Sequence, residues 1–278
     1  MTAPARHLVD LAARPVDRHD FRREVRAGRW TGQSRGVDPD VVQCNLVVLA
    51  REPAEQFRAW CEANPAVAPI LAESAAGDPT LPGLGDVDVR TDLPQYQVFR
   101  DGEPAGTRLD LLGLWTDDLV AFAFGCSFSL EEALRRAGVP LAYEDRGFGG
   151  AIYRTDRASV PVGAYAGGLV VSMRPLPAEA VERAVEVSRR HPWLHGAPVH
   201  VGDPAALGIE LDHPLESFGE VSVDPGEVPV FWACGVTTQE VLQQARPALA
   251  ITHRSAHMLV TDLPLSRSAS ADSIPDHF

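Results

Sequence analysis

The sequence predicts an α/β protein: a main three-layer α/β/α domain with an internal strand–turn–helix duplication, and a smaller inserted α+β two-layer domain. Three observations lead there. Strand-length apolar runs alternate with amphipathic helical segments over 278 residues, a length of about two domains. An apolar run passing through a Gly/Cys turn into a helix occurs twice. Between the copies lies a β-α-β block flanked by Gly/Pro-rich stretches (Gly147 to Ala151, Asp224 to Val228). The main domain is therefore set at residues 1–144 and 226–278 and the inserted one at 145–225, with the tail after 263 expected to lack fixed structure.

Each element has its own signal. Val41 to Ala50 (VVQCNLVVLA) is continuously apolar between turn residues, which predicts a buried strand. Pro53 to Cys61 follows as a helix, with Phe57, Trp60 and Cys61 on one face. Tyr96 to Arg100 is a strand entering a tight Asp101-Gly102 turn. Val120 to Cys126 and Val230 to Cys234 are the duplicated strands. Superposing Cys126 on Cys234 also places Ser129 on Thr237, Glu132 on Glu240 and Leu134 on Leu242, so each copy is expected to open its helix with an S/T-x-x-E capping box. Leu169 to Met173 is a strand, Ala178 to Arg190 a helix stopped by Pro192, and Ala197 to Val201 a second strand.

Composition narrows the chemistry. All 25 basic residues are arginine, so no lysine Schiff base, lysine general base or lysine-type P-loop is available. A net charge of −13 argues against a nucleic-acid or anionic-membrane partner. The arginine-rich stretch 1–35 is interleaved with acids and reads as a solvated helix face. Four unclustered cysteines, no long apolar run and no signal core lead to the expectation of a cytoplasmic protein with reduced thiols.

Four constellations carry chemistry. Gly125-Cys126-Ser127-Phe128-Ser129, between a strand and a capped helix, would present backbone N–H groups to an anion, and the helix field would favour a Cys126 thiolate; a buried structural cysteine is the competing reading. His195, His200 and Asp203 would form either an acid/base pair, with Asp203 orienting a histidine, or a divalent-metal site. His253, with His257 and Asp262, would face a ligand crevice at a sheet edge. Arg90, Arg154 and Arg174 are candidate carboxylate grips, Arg174 at the end of an apolar strand.

Together these segments resemble the D-glutamate cyclase family of bacterial hydro-lyases. The residues carrying the resemblance are Val42 to Val47, Arg90 to Pro94, Gly125 to Ser129, Leu169 to Pro175, His195 to Pro204, Val228 to Thr237 and Ile251 to His253. The chain departs from the family pattern at Cys44, across Gly149 to Ser159, and at Ser255-Ala256. The resemblance implies a carbon–oxygen lyase that eliminates water from a small amino or carboxylic acid, D-glutamate giving 5-oxo-D-proline, on a two-domain α/β fold. From the chemistry of the residues themselves, and not from the resemblance, the expected site joins His200, Asp203, His195 and Cys126 as catalytic groups to Gly125, Ser127, Ser129, Arg174, Arg154, Arg90 and His253 as substrate contacts. No cofactor is expected, a divalent metal is left open, and the partner is a small carboxylate, with a homo-oligomer allowed. A carboxylate-binding protein without chemistry, or a metal-dependent amide or lactam hydrolase, are the alternatives.

Overall fold

A computed structural model describes residues 16–266. Helix α1 (Arg18–Arg26) is opened by Asp17, whose carboxylate accepts from the backbone N–H of His19 at 2.8 Å. It is less solvated than its charge suggests: Phe21, Arg22 and Val25 are buried, and Arg22 donates to Asp262 at 2.8 Å.

Strand β1 (Val41–Ala50) is buried from Val41 to Leu49, its two polar residues Gln43 and Asn45 included, because both of its faces are covered. Val42, Cys44, Leu46 and Val48 join the larger core, while Val47 and Leu49 pack with helix α2 (Arg51–Ala63). That helix buries Phe57, Trp60 and Cys61, as their spacing requires. After β2 (Ile70–Glu73), strands β3 (Tyr96–Arg100) and β4 (Glu103–Arg108) form a hairpin. Its turn residues Asp101 (φ 48°) and Gly102 (φ 82°) both lie in the left-handed region, as a type I′ turn demands. Strand β5 (Leu119–Gly125) is buried along its whole length and leads into α3 (Ser127–Arg136).

The second sheet begins at β6 (Ala151–Ala158) and β7 (Gly168–Pro177). Helix α4 (Val181–Arg189) precedes two short strands, β8 (His200–Val201) and β9 (Glu216–Ser217). Then come β10 (Glu227–Ala233), α5 (Thr237–Ala245), β11 (Ala250–His253) and β12 (Leu259–Pro264). All pairings are antiparallel. The first sheet runs β2-β5-β1-β11-β3-β4 with β12 also on β1, and the second β8-β10-β7-β6-β9.

Several expectations change here. The α/β class holds, but the strands form two antiparallel sheets, so the crevice rule for parallel sheets does not apply to His253. Strand β10 follows residue 226 yet pairs with β7 from Glu227 to Ala233, so each sheet carries one copy of the strand–turn–helix unit. One apolar core joins both sheets, from Leu46 and Ala123 through Leu130 and Tyr143 to Met173 and Trp232. Neither capping box forms. In α3 the cap is Cys126, and the Ser129 hydroxyl instead accepts from Gln43 N at 2.8 Å. In α5 no side chain caps, and the Thr237 hydroxyl bonds the backbone of Val170. The start of the expected loose tail is ordered: Leu263 and Leu265 are buried, and Leu265 N reaches Asp40 O at 2.9 Å. The rest of that tail lies outside the described residues.

Candidate active site

The two copies meet at Asn45, in the middle of β1. Its side-chain amide donates to the Gly125 carbonyl of the first copy. Gly235, in the turn of the second copy, lies so close that a Cβ there would fall 2.5 Å from the Asn45 carboxamide. One polar side chain therefore registers both turns against the central strand. Of the expected outward-facing N–H groups, three are already committed. Gly125 N donates to Pro69 O, Phe128 N to Cys126 Sγ at 3.4 Å, and Ser129 N to Cys126 O.

Beside this seam lies a small pocket lined by Ser127, Leu130, Glu131, Leu134, Ser172, Arg174 and Trp232. Helix α3 of the first unit supplies one wall, and β7 and β10 of the second sheet supply the other. Arg174 is buried as a site residue should be, but it is not free. Its Nε donates to Glu131 at 2.5 Å and its Nη1 to Met173 O at 3.0 Å. The second Glu131 oxygen is held by Arg35, whose guanidinium also covers the Phe128 ring and donates to Gly149 O at 2.7 Å. Burial raises the Glu131 carboxyl, but Arg35 and Arg174 outweigh it and hold the group below its ordinary value. Gly150 (φ 95°) makes room for this arrangement, since a Cβ there would lie 2.5 Å from Arg174 Nη1.

The cysteine expectation is overturned by burial. It pushes the Cys126 thiol up to about 12, more than the hydrogen bond from Phe128 N lowers it, so the group is a thiol at neutral pH. Cys44 and Cys234 are buried and raised as well. The buried imidazoles respond in the opposite sense. His195, in the left-handed region (φ 79°), rests Nδ1 on Ala66 O at 3.0 Å, and burial lowers it to about 4. His253, with Nδ1 3.2 Å from Leu46 N and 3.3 Å from Leu46 O, is lowered to about 4 for the same reason. Both are neutral at pH 7.

The expected His200–Asp203 dyad is not assembled. His200 Nε2 meets the backbone carbonyl of Asp203 at 2.8 Å, while the Asp203 carboxylate accepts from Ala205 N as the cap of a short 3-10 turn. Arg154 is exposed and paired with Glu240 at 2.8 Å. Arg90 is held by Asp88 at 2.7 Å, within its own turn. His195, His200 and Asp203 do not converge as metal ligands. Among the described residues the groups close enough to share an ion are Glu210, Asp212 and His213, all exposed. The structure thus gathers Gly125, Cys126, Ser127, Ser129 and Arg174 at the seam and leaves Arg90, Arg154, His200 and Asp203 apart.

The fold and the seam define a two-sheet α/β protein with a buried Arg35–Glu131–Arg174 cluster beside a space of about 10 Å³, the size of one water molecule. The chain belongs to the D-glutamate cyclase family, whose sequence profile matches residues 120–262. A protein of Verminephrobacter eiseniae named "Putative hydro-lyase" is 50% identical over 250 residues, covering 89% of this chain and 91% of that one. One of the same description from Cupriavidus taiwanensis is 46% identical over 269 residues, covering 96% of this chain and 100% of that one. A solved nitrogen repressor-like protein of Methanococcus jannaschii aligns over 78% of this chain and 86% of its own at 13% identity. The TM-score of that alignment is 0.37. No helix among the described residues is long and apolar enough to cross a membrane.

Proposed function

We propose that this chain is a hydro-lyase that closes D-glutamate to 5-oxo-D-proline. The amine nitrogen attacks the γ-carboxyl carbon, the carbon–oxygen bond breaks, and water leaves. Family membership and the names of the relatives support the lyase class. The observation that supports the substrate class is the D-glutamate cyclase match over residues 120–262; that stretch brings the buried Arg174 and the Ser127 and Ser172 side chains against apolar Leu130, Leu134 and Trp232 around a space of about 10 Å³. A guanidinium and hydroxyls suit a carboxylate, and the apolar wall suits a short methylene chain. Holding amine and carboxylate against one another supplies effective molarity, which lowers the cyclisation barrier without nucleotide activation. The dipole of α3 favours the oxyanion of the tetrahedral intermediate at its N-terminal end, through its field rather than through the N–H groups of Gly125, Phe128 and Ser129, which are engaged within the turn.

Purified protein incubated with D-glutamate is expected to yield 5-oxo-D-proline by chiral chromatography, with L-glutamate as the control. Absence of product from either enantiomer would overturn the substrate assignment.

A further inference from the structure

Room and charge come together on the second sheet. A cleft of about 250 Å³ opens between β6 and the segment that runs from the 3-10 turn Pro204–Leu207 to β9. Tyr153 and Arg154 line it from β6, and Ile209, Glu210, His213 and Leu215 from the connecting segment. That segment is pinned to the strand: Tyr153 Oη donates to Leu211 O at 2.9 Å, and Leu215 N to Ile152 O at 2.8 Å. The cleft shares no lining residue with the water-sized space beside α3, and it has room for an amino acid.

The cleft carries both signs of charge. On the connecting segment, His213 Nδ1 lies 3.1 Å from Glu210 Oε2 and 3.1 Å from Asp212 Oδ1. Two carboxylates around one imidazole leave at least one surplus negative charge, whether or not the imidazole holds a proton. On β6, Arg154 gives Nε and Nη2 to Glu240 at 3.0 and 2.8 Å. That bidentate pair fixes the plane of the guanidinium, and among the described residues no acceptor meets its Nη1. Leu215, 37% exposed, and Ile209 add apolar surface to the same cleft. A surplus anion, a guanidinium with donors to spare and an apolar wall suit one molecule that bears an ammonium, a carboxylate and a short aliphatic chain.

We infer that this cleft binds a small zwitterionic amino acid, with its ammonium at Glu210, its carboxylate at the Arg154 guanidinium and its aliphatic chain on Ile209 and Leu215. Asp212 does not line the cleft and adds its charge through the shared His213 imidazole. Glu240 is a positioning residue that holds Arg154 in its plane. The site goes beyond the proposed reaction, whose residues lie around α3, and neither depends on the other. Its walls are open to solvent, so the affinity is weak and rests on both charged ends being met together.

Norvaline carries the ammonium, the carboxylate and a short chain but no γ-carboxyl, so ring closure cannot consume it. Ligand-observed NMR titration of the full chain is expected to show racemic norvaline binding. Pentanoate, which lacks the ammonium, and norvalinamide, which lacks the carboxylate, should each bind about fivefold more weakly or worse. Arg154→Gln should weaken norvaline by a similar factor without weakening norvalinamide, and Glu210→Gln should weaken norvaline without weakening pentanoate. Both side chains are exposed, so both variants are expected to fold, which thermal melts check. No norvaline binding, equal affinity for all three probes, or unchanged norvaline affinity in both variants would overturn the site. Binding that requires added Mn²⁺ would also overturn it, because Glu210, Asp212 and His213 would then hold a cation instead. Conversion of D-glutamate is assayed separately, so failure of the one leaves the other standing.

Discussion

Replacing Glu131 by glutamine keeps the shape of the side chain and removes the anion between two buried guanidinium groups. Both Glu131 oxygens are engaged, one by Arg174 and one by Arg35. In Glu131→Gln the amide oxygen can still accept from one arginine, but the amide nitrogen then points a donor at a donor. Breaking a buried ion pair from one side costs about 3–5 kcal/mol, since the partner charge stays buried and uncompensated. At about 2–4 °C per kcal/mol for a chain of this size, the melting temperature should fall by roughly 6–20 °C. Arg154→Gln is the internal control: its pair with Glu240 is solvent-facing, with the arginine side chain 59% exposed, and such pairs contribute at most about 1 kcal/mol. Circular dichroism melts of both variants decide the matter. If Glu131→Gln melts within a degree or two of Arg154→Gln, the charge cluster is not doing what its burial implies. The pH dependence has a definite sign. The folded carboxyl lies below its ordinary value of 4.5, so its stabilisation is complete above that value and disappears as pH falls through the lower folded one.

Three further outcomes are expected. His195 and His253 titrate near 4 when folded but near 6.5 when unfolded, so stability should fall as pH drops from 6.5 to 4, by about 3 kcal/mol for each histidine; urea titrations showing flat stability over that window would contradict their burial as neutral imidazoles. Asp203→Ala removes a cap and should cost about 1 kcal/mol while leaving kcat for D-glutamate within about threefold; a hundredfold loss of kcat would reinstate an Asp203–His200 pair. The Cys126 thiol should resist iodoacetamide at pH 8 in the folded protein and react once urea unfolds it, as peptide mapping would show, whereas rapid native labelling would contradict a buried thiol at this position.

The elements read from periodicity survive because their signals are local. The β1 run and the Phe57-Trp60-Cys61 spacing depend only on which faces are covered. The Gly125 to Ser129 turn was legible for the same reason. Pairing was not, because the strand that follows the Asp224 to Val228 turn looks the same whether it joins the first sheet or the second. The caps failed through competition: Ser129 and Thr237 find Gln43 N and the Val170 backbone across the fold, which no local pattern announces. The same holds for the site. Arg174 inside an apolar strand signals a buried positive charge, but its carboxylate comes from Glu131, 43 residues away in sequence. Conversely, the histidines and aspartate at 195–203 are close in sequence yet point their polar atoms at backbone rather than at each other. The unpartnered hydroxyls of buried Tyr143 and Ser172 left no sequence signal, because being unpartnered is a property of the packed interior alone.

The meeting of both strand–turn–helix units on Asn45, together with the Glu131–Arg174 pair, constrains how such proteins can recombine. A crossover between two relatives near residue 145 would inherit Arg35, Asn45 and Glu131 from one parent and Gly150, Arg174 and Gly235 from the other. The junction would fall in a surface turn and look harmless by length and composition. Its offspring would nevertheless be viable only where both parents had kept the same guanidinium and carboxylate geometry, so the two halves are expected to drift in step rather than be exchanged.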